Sequence, residues 1–203
     1  EEVLSTAVET LSAHAQEGGT KVRWTACYAL GGVLGAAVAS RRGVAGAPWL
    51  LAAIDALCHS VGESPNFKVR IAAVQALGAL STREAFGDDD GYARVFRCLV
   101  SMLLVVDDAS GASFSEYRYR GDLKASVSRS LLRVIRLSRR TDFLALKDVL
   151  VEHAGDLFAW LSDAEMAARN AEREAAAMAA DAAEAAGGGS PSSATAAAAA
   201  AAV

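Results

Sequence analysis

The sequence predicts an all-α chain built as an α-solenoid, a superhelix of antiparallel helical hairpins, and three observations predict it. Apolar residues make up 53% of the chain and only three prolines interrupt it, while the abundant Ala and Leu lose little on entering a helix. A block then recurs without gaps: Thr20-Lys21-Val22-Arg23-Trp24-Thr25-Ala26-Cys27-Tyr28-Ala29-Leu30-Gly31 aligns with Phe67-Lys68-Val69-Arg70-Ile71-Ala72-Ala73-Val74-Gln75-Ala76-Leu77-Gly78 at an offset of 47. Within the second copy, Val69, Ala72, Ala73, Ala76, Leu77 and Leu80 fall at the i, i+3, i+4, i+7 spacing of one helix face.

Each recurring helix is preceded by another amphipathic segment, so the unit is a hairpin. The first unit covers about 1–40, with Val3 to Ala15 as its leading helix, and the chain starts in mid-pattern, as a fragment of a longer protein would. The second covers about 46–82, and Pro48 suits the first turn of its leading helix, Pro48 to Val61. The third covers about 91–140, led by Tyr92 to Val106; its second helix places Leu123, Ser126, Val127, Ser130, Leu131 and Val134 on the same face at an offset of 54. There Lys124 stands where Arg70 stood, and the polar stretch Asp107 to Ser115 accounts for the extra length. Breaks come from Gly18-Gly19, Gly62 to Pro65 and Gly87 to Gly91. Two-helix units of this length have the HEAT/armadillo period.

Beyond the repeats, 142–161 reads as a final helical pair. Phe143, Leu144, Leu146, Val149, Leu150, Leu157, Phe158, Trp160 and Leu161 supply its apolar contacts and Gly155 a break. The Ala-rich segment 162–186 is helix-prone but has almost no large apolar side chain to anchor it, so a protruding helix is expected. The Gly/Ser/Ala run 187–203 reads as a disordered low-complexity tail.

Composition and motifs narrow the function. A net charge of −4 and a pI near 5.4 argue against a surface built throughout for nucleic acid. Cys27, Cys58 and Cys98 are odd in number and lack zinc-ligand spacing, which suits reduced, mostly buried thiols in a cytoplasmic or nuclear protein. Trp24 to Ser40 carries no charge but is short for a membrane span and suits the buried layer of a helical stack. His14, His59 and His153 are scattered, and Asp88-Asp89-Asp90-Gly91 would place Leu99 where a calcium loop needs its Glu, so a solvated loop is expected there. With no P-loop, GxSxG or HExxH, the reading is of a non-enzyme without cofactor or metal.

The Lys-Val-Arg helix starts pose a physical question. Cations in the first turn oppose the helix macrodipole by roughly 0.3–1 kcal/mol each. One account pairs the Arg with an acidic side chain or loop carbonyl of the adjacent repeat; the other makes a basic ridge that meets a partner.

Lys21 to Ala29, Asn66 to Ile71, Tyr92-Ala93-Arg94-Val95 and Phe114-Ser115-Glu116-Tyr117-Arg118-Tyr119, in this order, resemble the C-terminal part of the HEAT repeat-containing protein 6 family, over roughly residues 1 to 161. The resemblance implies an α-solenoid with no catalytic residue to carry over. The Ala-rich tail departs from that pattern.

From Tyr117 to Arg140 eight basic residues face Asp122 alone, and Arg129, Arg133, Arg136 and Arg140 form one stripe along a helix. The expectation is therefore a scaffold or adaptor that binds protein segments along its second-of-pair helices, through exposed Lys21, Arg23, Lys68, Arg70, Gln75, Lys124, Arg129 and Arg133. The alternative is a solenoid that holds nucleic acid or another polyanion on the stripe Arg129, Arg133, Arg136 and Arg140, or one that carries cargo as transport receptors do.

Overall fold

The computed structural model describes residues 2–40, 47–107 and 118–187, and among them the chain is all-α, with no strand. The helices are α1 (Glu2–Gln16), α2 (Thr20–Ser40), α3 (Pro48–Glu63), α4 (Phe67–Leu77), α5 (Asp89–Val105), α6 (Arg120–Arg136), α7 (Asp142–Ala145), α8 (Lys147–Glu152) and α9 (Ala154–Gly187). A 3₁₀ turn at Arg83–Phe86 joins α4 to α5. Of the expected polar insertion Asp107 to Ser115 only Asp107 falls within the described residues, and of the expected tail 187–203 only Gly187.

The chain divides into two compact units, one through Asp156 and one from Leu157 onward. In the first unit α1, α3 and α5 pack side by side in one row, and α2, α4 and α6 in another. Each member of the first row also packs against the helix that follows it, so three hairpins stand in succession. Leu30, Leu77 and Leu131, at equivalent positions of the three second helices, are completely or almost completely buried. Equivalent positions therefore do equivalent work in the core.

Local chemistry sets the helix starts. Pro48 fixes the first turn of α3, where a missing N–H leaves no bond unmade. The Asn66 side chain accepts from the Lys68 and Val69 N–H groups at 3.1 and 3.4 Å and so caps α4. The acidic run expected as a solvated loop is instead the start of α5. Asp88 caps it by accepting from Gly91 N–H at 2.7 Å, and Asp89 and Asp90 sit in the first turn, where negative charge suits the dipole. A Cβ on Gly91 would lie 2.1 Å from the Phe86 carbonyl oxygen, so only glycine fits this close turn.

Two expectations about buried helices are corrected. Thr20–Ala39 is long and apolar enough to cross a membrane, with mean hydropathy 1.3, but it is not enclosed all round. Ala26, Cys27, Leu30 and Leu34 are buried in the stack, whereas Val22, Trp24 and Tyr28 are exposed. In 142–161 the chain makes two short helices and then enters α9, which runs on through position 162 without a break at Gly155. Leu146 is buried, but Phe143, Leu144, Phe158 and Leu161 are exposed. Helices of four and six residues have too few turns to present a continuous apolar face.

The second unit contains the greater part of α9. Phe158, Met166 and Met178 are exposed on it, and Arg169 pairs with Glu165 one turn away at 2.7 Å. Such i,i+4 pairs support a helix that buries little apolar surface.

Candidate binding groove

The second helices place their variable positions on a common surface. Lys21, Trp24 and Tyr28 of α2, Lys68, Ile71 and Gln75 of α4, and Asp122, Ala125 and Arg129 of α6 are related by the repeat offsets of 47 and 54. All of these except Tyr28 line a groove of about 830 Å³, joined by Asn66, Arg118, Tyr119 and Ser126. Tyr28 stands at its edge: its ring packs edge-on against Trp24 at 5.4 Å, and its hydroxyl donates to Gln75 Oε1 at 3.2 Å.

The groove is basic, because Lys21, Lys68, Arg118 and Arg129 face Asp122 as the one carboxylate among its lining side chains. Tyr119 lies between two of these cations, with Lys68 Nζ 4.9 Å and Arg118 Cζ 4.6 Å from its ring centroid. Cations over an aromatic face are attracted by its quadrupole. The Lys68 hydrogen bond, helped by the Arg118 charge, holds the Tyr119 hydroxyl below its ordinary pKa.

The expected site residues separate into two groups. Lys21, Lys68, Gln75 and Arg129 meet in the groove. Arg23 and Arg70 do not form an exposed ridge: Arg23 Nε donates to the Ala15 carbonyl at 3.2 Å, and Arg70 donates to the Ser64 and Gly62 carbonyls at 2.5 and 3.1 Å. Both half-buried arginines thus reach back to the end of the preceding helix of their own hairpin, and Arg70 Nη1 also donates to Met102 Sδ of α5 in the next hairpin at 3.8 Å. The end of the preceding helix carries the negative pole, which offsets the unfavourable position of the cation at the start of its own helix. Lys124, the third member of the series, reaches back in the same way and pairs with Asp107 just past α5 at 2.6 Å.

The arginine stripe is also divided. Arg129 faces the groove, while Arg133 donates to the Gly78 carbonyl at the end of α4. Arg136 and Arg140 are exposed and make no ion pair among the described residues. Arg139, outside the stripe, pairs with Glu84 at 2.7 Å.

Sequence reasoning did not single out Trp24, Tyr28, Ile71, Arg118 or Tyr119. A signal for the first three was present, since they occupy the positions at which the aligned copies disagree. It also missed an ion cluster in which buried Arg83 and Asp142 are joined by exposed Asp89. Arg83 pairs with Asp142 at 2.6 Å and with Asp89 at 2.5 Å, and its guanidinium lies 4.4 Å from the Tyr92 ring centroid. Burial opposes the charge on Asp142, yet the Arg83 hydrogen bonds and the Arg139 N–H outweigh it and hold the carboxyl below its ordinary value. Burial pushes Tyr92 up to about 12, and its hydroxyl donates to the Val134 carbonyl at 3.0 Å.

The cysteines are free, but only Cys27 is fully buried; Cys58 and Cys98 are half-buried and adjacent across α3 and α5. The Cys98 hydrogen bond, followed by burial, raises the Cys58 pKa, which favours the unreactive thiol. Among the described residues no three His, Cys, Asp or Glu side chains form a metal-binding group. No protein-family model matches the chain, and no solved structure matches it.

Proposed function

We propose that the two rows of helices form a HEAT-type α-solenoid of the HEAT repeat-containing protein 6 family, and that the chain is a non-enzymatic intracellular scaffold. It binds segments of other proteins along the groove crossed by α2, α4 and α6. One observation carries this reading: equivalent positions of three successive second helices converge on a single exposed groove instead of on the core. A stack needs the inward positions for stability, whereas nothing in its packing requires Trp24 to be exposed.

The free cysteines suit a reducing compartment. The buried Ala26, Cys27, Leu30 and Leu34 suit packing of α2 against protein helices. The polyanion alternative has weaker support, because Arg133 is committed to the Gly78 carbonyl.

Site-specific photo-crosslinking tests the reading. A crosslinker at Gln75, in the groove, is expected to capture protein in cells, and one at the exposed Asp55 of α3 is not. Equal capture from both positions, or capture confined to Asp55, would overturn it.

A further inference from the structure

The groove's chemistry narrows its partner, an inference that rests on the reading of this surface as a protein-binding site. We propose that it holds an extended acidic segment of a partner protein, with carboxylates on both sides of an apolar side chain.

The charge argument comes first. Lys21, Lys68, Arg118 and Arg129 surround the groove against Asp122, while the chain as a whole carries −4, so the excess of cations is local. Side-chain carboxylates arriving there form charge-assisted hydrogen bonds, which are stronger than neutral ones. Between the cations lie Trp24 and Ile71, exposed and half-buried respectively, which offer an apolar seat at the centre.

Size is consistent with a short peptide. Neighbouring helix axes lie roughly 8–10 Å apart, so the two steps from α2 to α6 span about 16–20 Å. An extended chain advances about 3.3 Å per residue, so about five or six residues cross the groove.

The aromatic groups favour a peptide over a nucleic acid. Single strands without sequence preference depend on open aromatic faces on which bases stack. Here Tyr119 already carries Lys68 and Arg118 against its ring, and Trp24 is locked edge-on with Tyr28, which is itself hydrogen-bonded to Gln75.

Fluorescence anisotropy on the full 203-residue chain tests the proposal, using a fluorescein-labelled peptide of about nine residues, Glu-Ser-Glu-Ser-Leu-Ser-Glu-Ser-Glu, which is long enough to cross the site and whose Glu and Leu side chains share one face when extended. The comparators are the same peptide with Gln or Lys replacing Glu, and a single-stranded oligodeoxynucleotide of equal charge. The Glu peptide is expected to bind most tightly and to weaken as salt rises. Its affinity should fall by about tenfold or more in Lys68→Glu/Arg129→Glu, and also in Trp24→Ala, with the circular dichroism spectrum of each variant unchanged. Unchanged affinity in both variants, equal binding of the Gln peptide, or tighter binding of the oligonucleotide would overturn it. If the Lys or Gln peptide binds in a Trp24-dependent way and the Glu peptide does not, the acidic partner is refuted and protein binding in the groove stands. Silence of all four probes refutes the acidic partner, and crosslinking at Gln75 then decides the broader reading independently.

Discussion

The two junctions between successive hairpins solve the same packing problem with different chemistry. Where the first hairpin meets the second, Gly31 lies against Ala76, the Ser60 hydroxyl donates to the Ala15 carbonyl at 3.3 Å, and Tyr28 donates to Gln75. Among the described residues no ion pair joins these two hairpins. Where the second meets the third, Gly78 lies against Ser130, the equivalent contact by repeat position, but charges have been added. Arg94 pairs with Asp55, Arg139 with Glu84, and Arg83 from the connecting turn holds Asp142 beyond α6. The shared small-residue seam sets how closely second helices approach. The ionic groups tie only one junction to conditions outside the molecule.

Breaking the buried Arg83–Asp142 pair should therefore be the largest single effect. Arg83→Ala leaves Asp142, which is 1% exposed, without its guanidinium, and a broken buried pair typically destabilises by about 3–5 kcal/mol. Denaturant unfolding should show a loss of that size, and a loss below about 1 kcal/mol, the scale of an exposed pair, would mean that the cluster contributes no more than a surface contact. Acid should act on the same place. The depressed pKa of Asp142 contributes stability that is fully present above the unfolded value, about 3.9. That contribution is lost as pH falls through the lower folded value. Asp107, held low by its Lys124 hydrogen bond, loses its contribution in the same direction. Hydrogen exchange below about pH 4 should consequently accelerate in α5 and α6 before it does in α1 and α2. The reverse order would show that the ionic junction is not the acid-sensitive one.

This difference also marks what could be read from the chain beforehand. The recurring Lys, Val, Arg, Ala, Leu and Gly expose the period and the buried face, because packing against a like neighbour demands like residues. The destination of Arg23 and Arg70 was not readable, since a carbonyl at the end of the preceding helix leaves no trace in the pattern of side chains. Arg83 and Asp142 are 59 positions apart and belong to no repeat, so only the folded chain unites them. Four groove residues, Lys21, Lys68, Gln75 and Arg129, were identifiable as polar groups on second helices. Trp24 and Ile71 left only the weaker trace of a position at which the aligned copies disagree, because an apolar residue is not marked as a surface group until the fold places it outside.

The uncharged junction can be broken sterically. A Cβ on Gly31 would sit 3.0 Å from both Cα and Cβ of Ala76, so α2 and α4 must separate to admit it. Overpacking of this kind costs about 1–3 kcal/mol, and Gly31→Ala should lower stability by an amount at the lower end of that range, partly offset by alanine's better helix propensity. Adding Ala76→Gly removes the opposing methyl, so the double variant should lose less than the sum of the two single variants. Strict additivity in thermal or chemical unfolding would show that these helices do not meet at this point. Salt should leave the Gly31→Ala effect unchanged.

The smallest expected effect lies at the exposed edge of the ionic junction. Arg94 and Asp55 are 44% and 51% exposed, so water screens their attraction, and immobilising the long Arg94 side chain consumes much of the remainder. Arg94→Ala should destabilise by about 0.2–1 kcal/mol. The difference between wild type and variant should narrow further in about 1 M salt, where the screening length falls to about 3 Å. Set against Arg83→Ala, it separates burial from charge as the source of stability, since both are arginine–aspartate pairs at the same junction. If Arg94→Ala matched Arg83→Ala, enclosure of Asp142 would no longer explain why one pair anchors the junction, and the distinction between its buried and exposed ions would have to be abandoned.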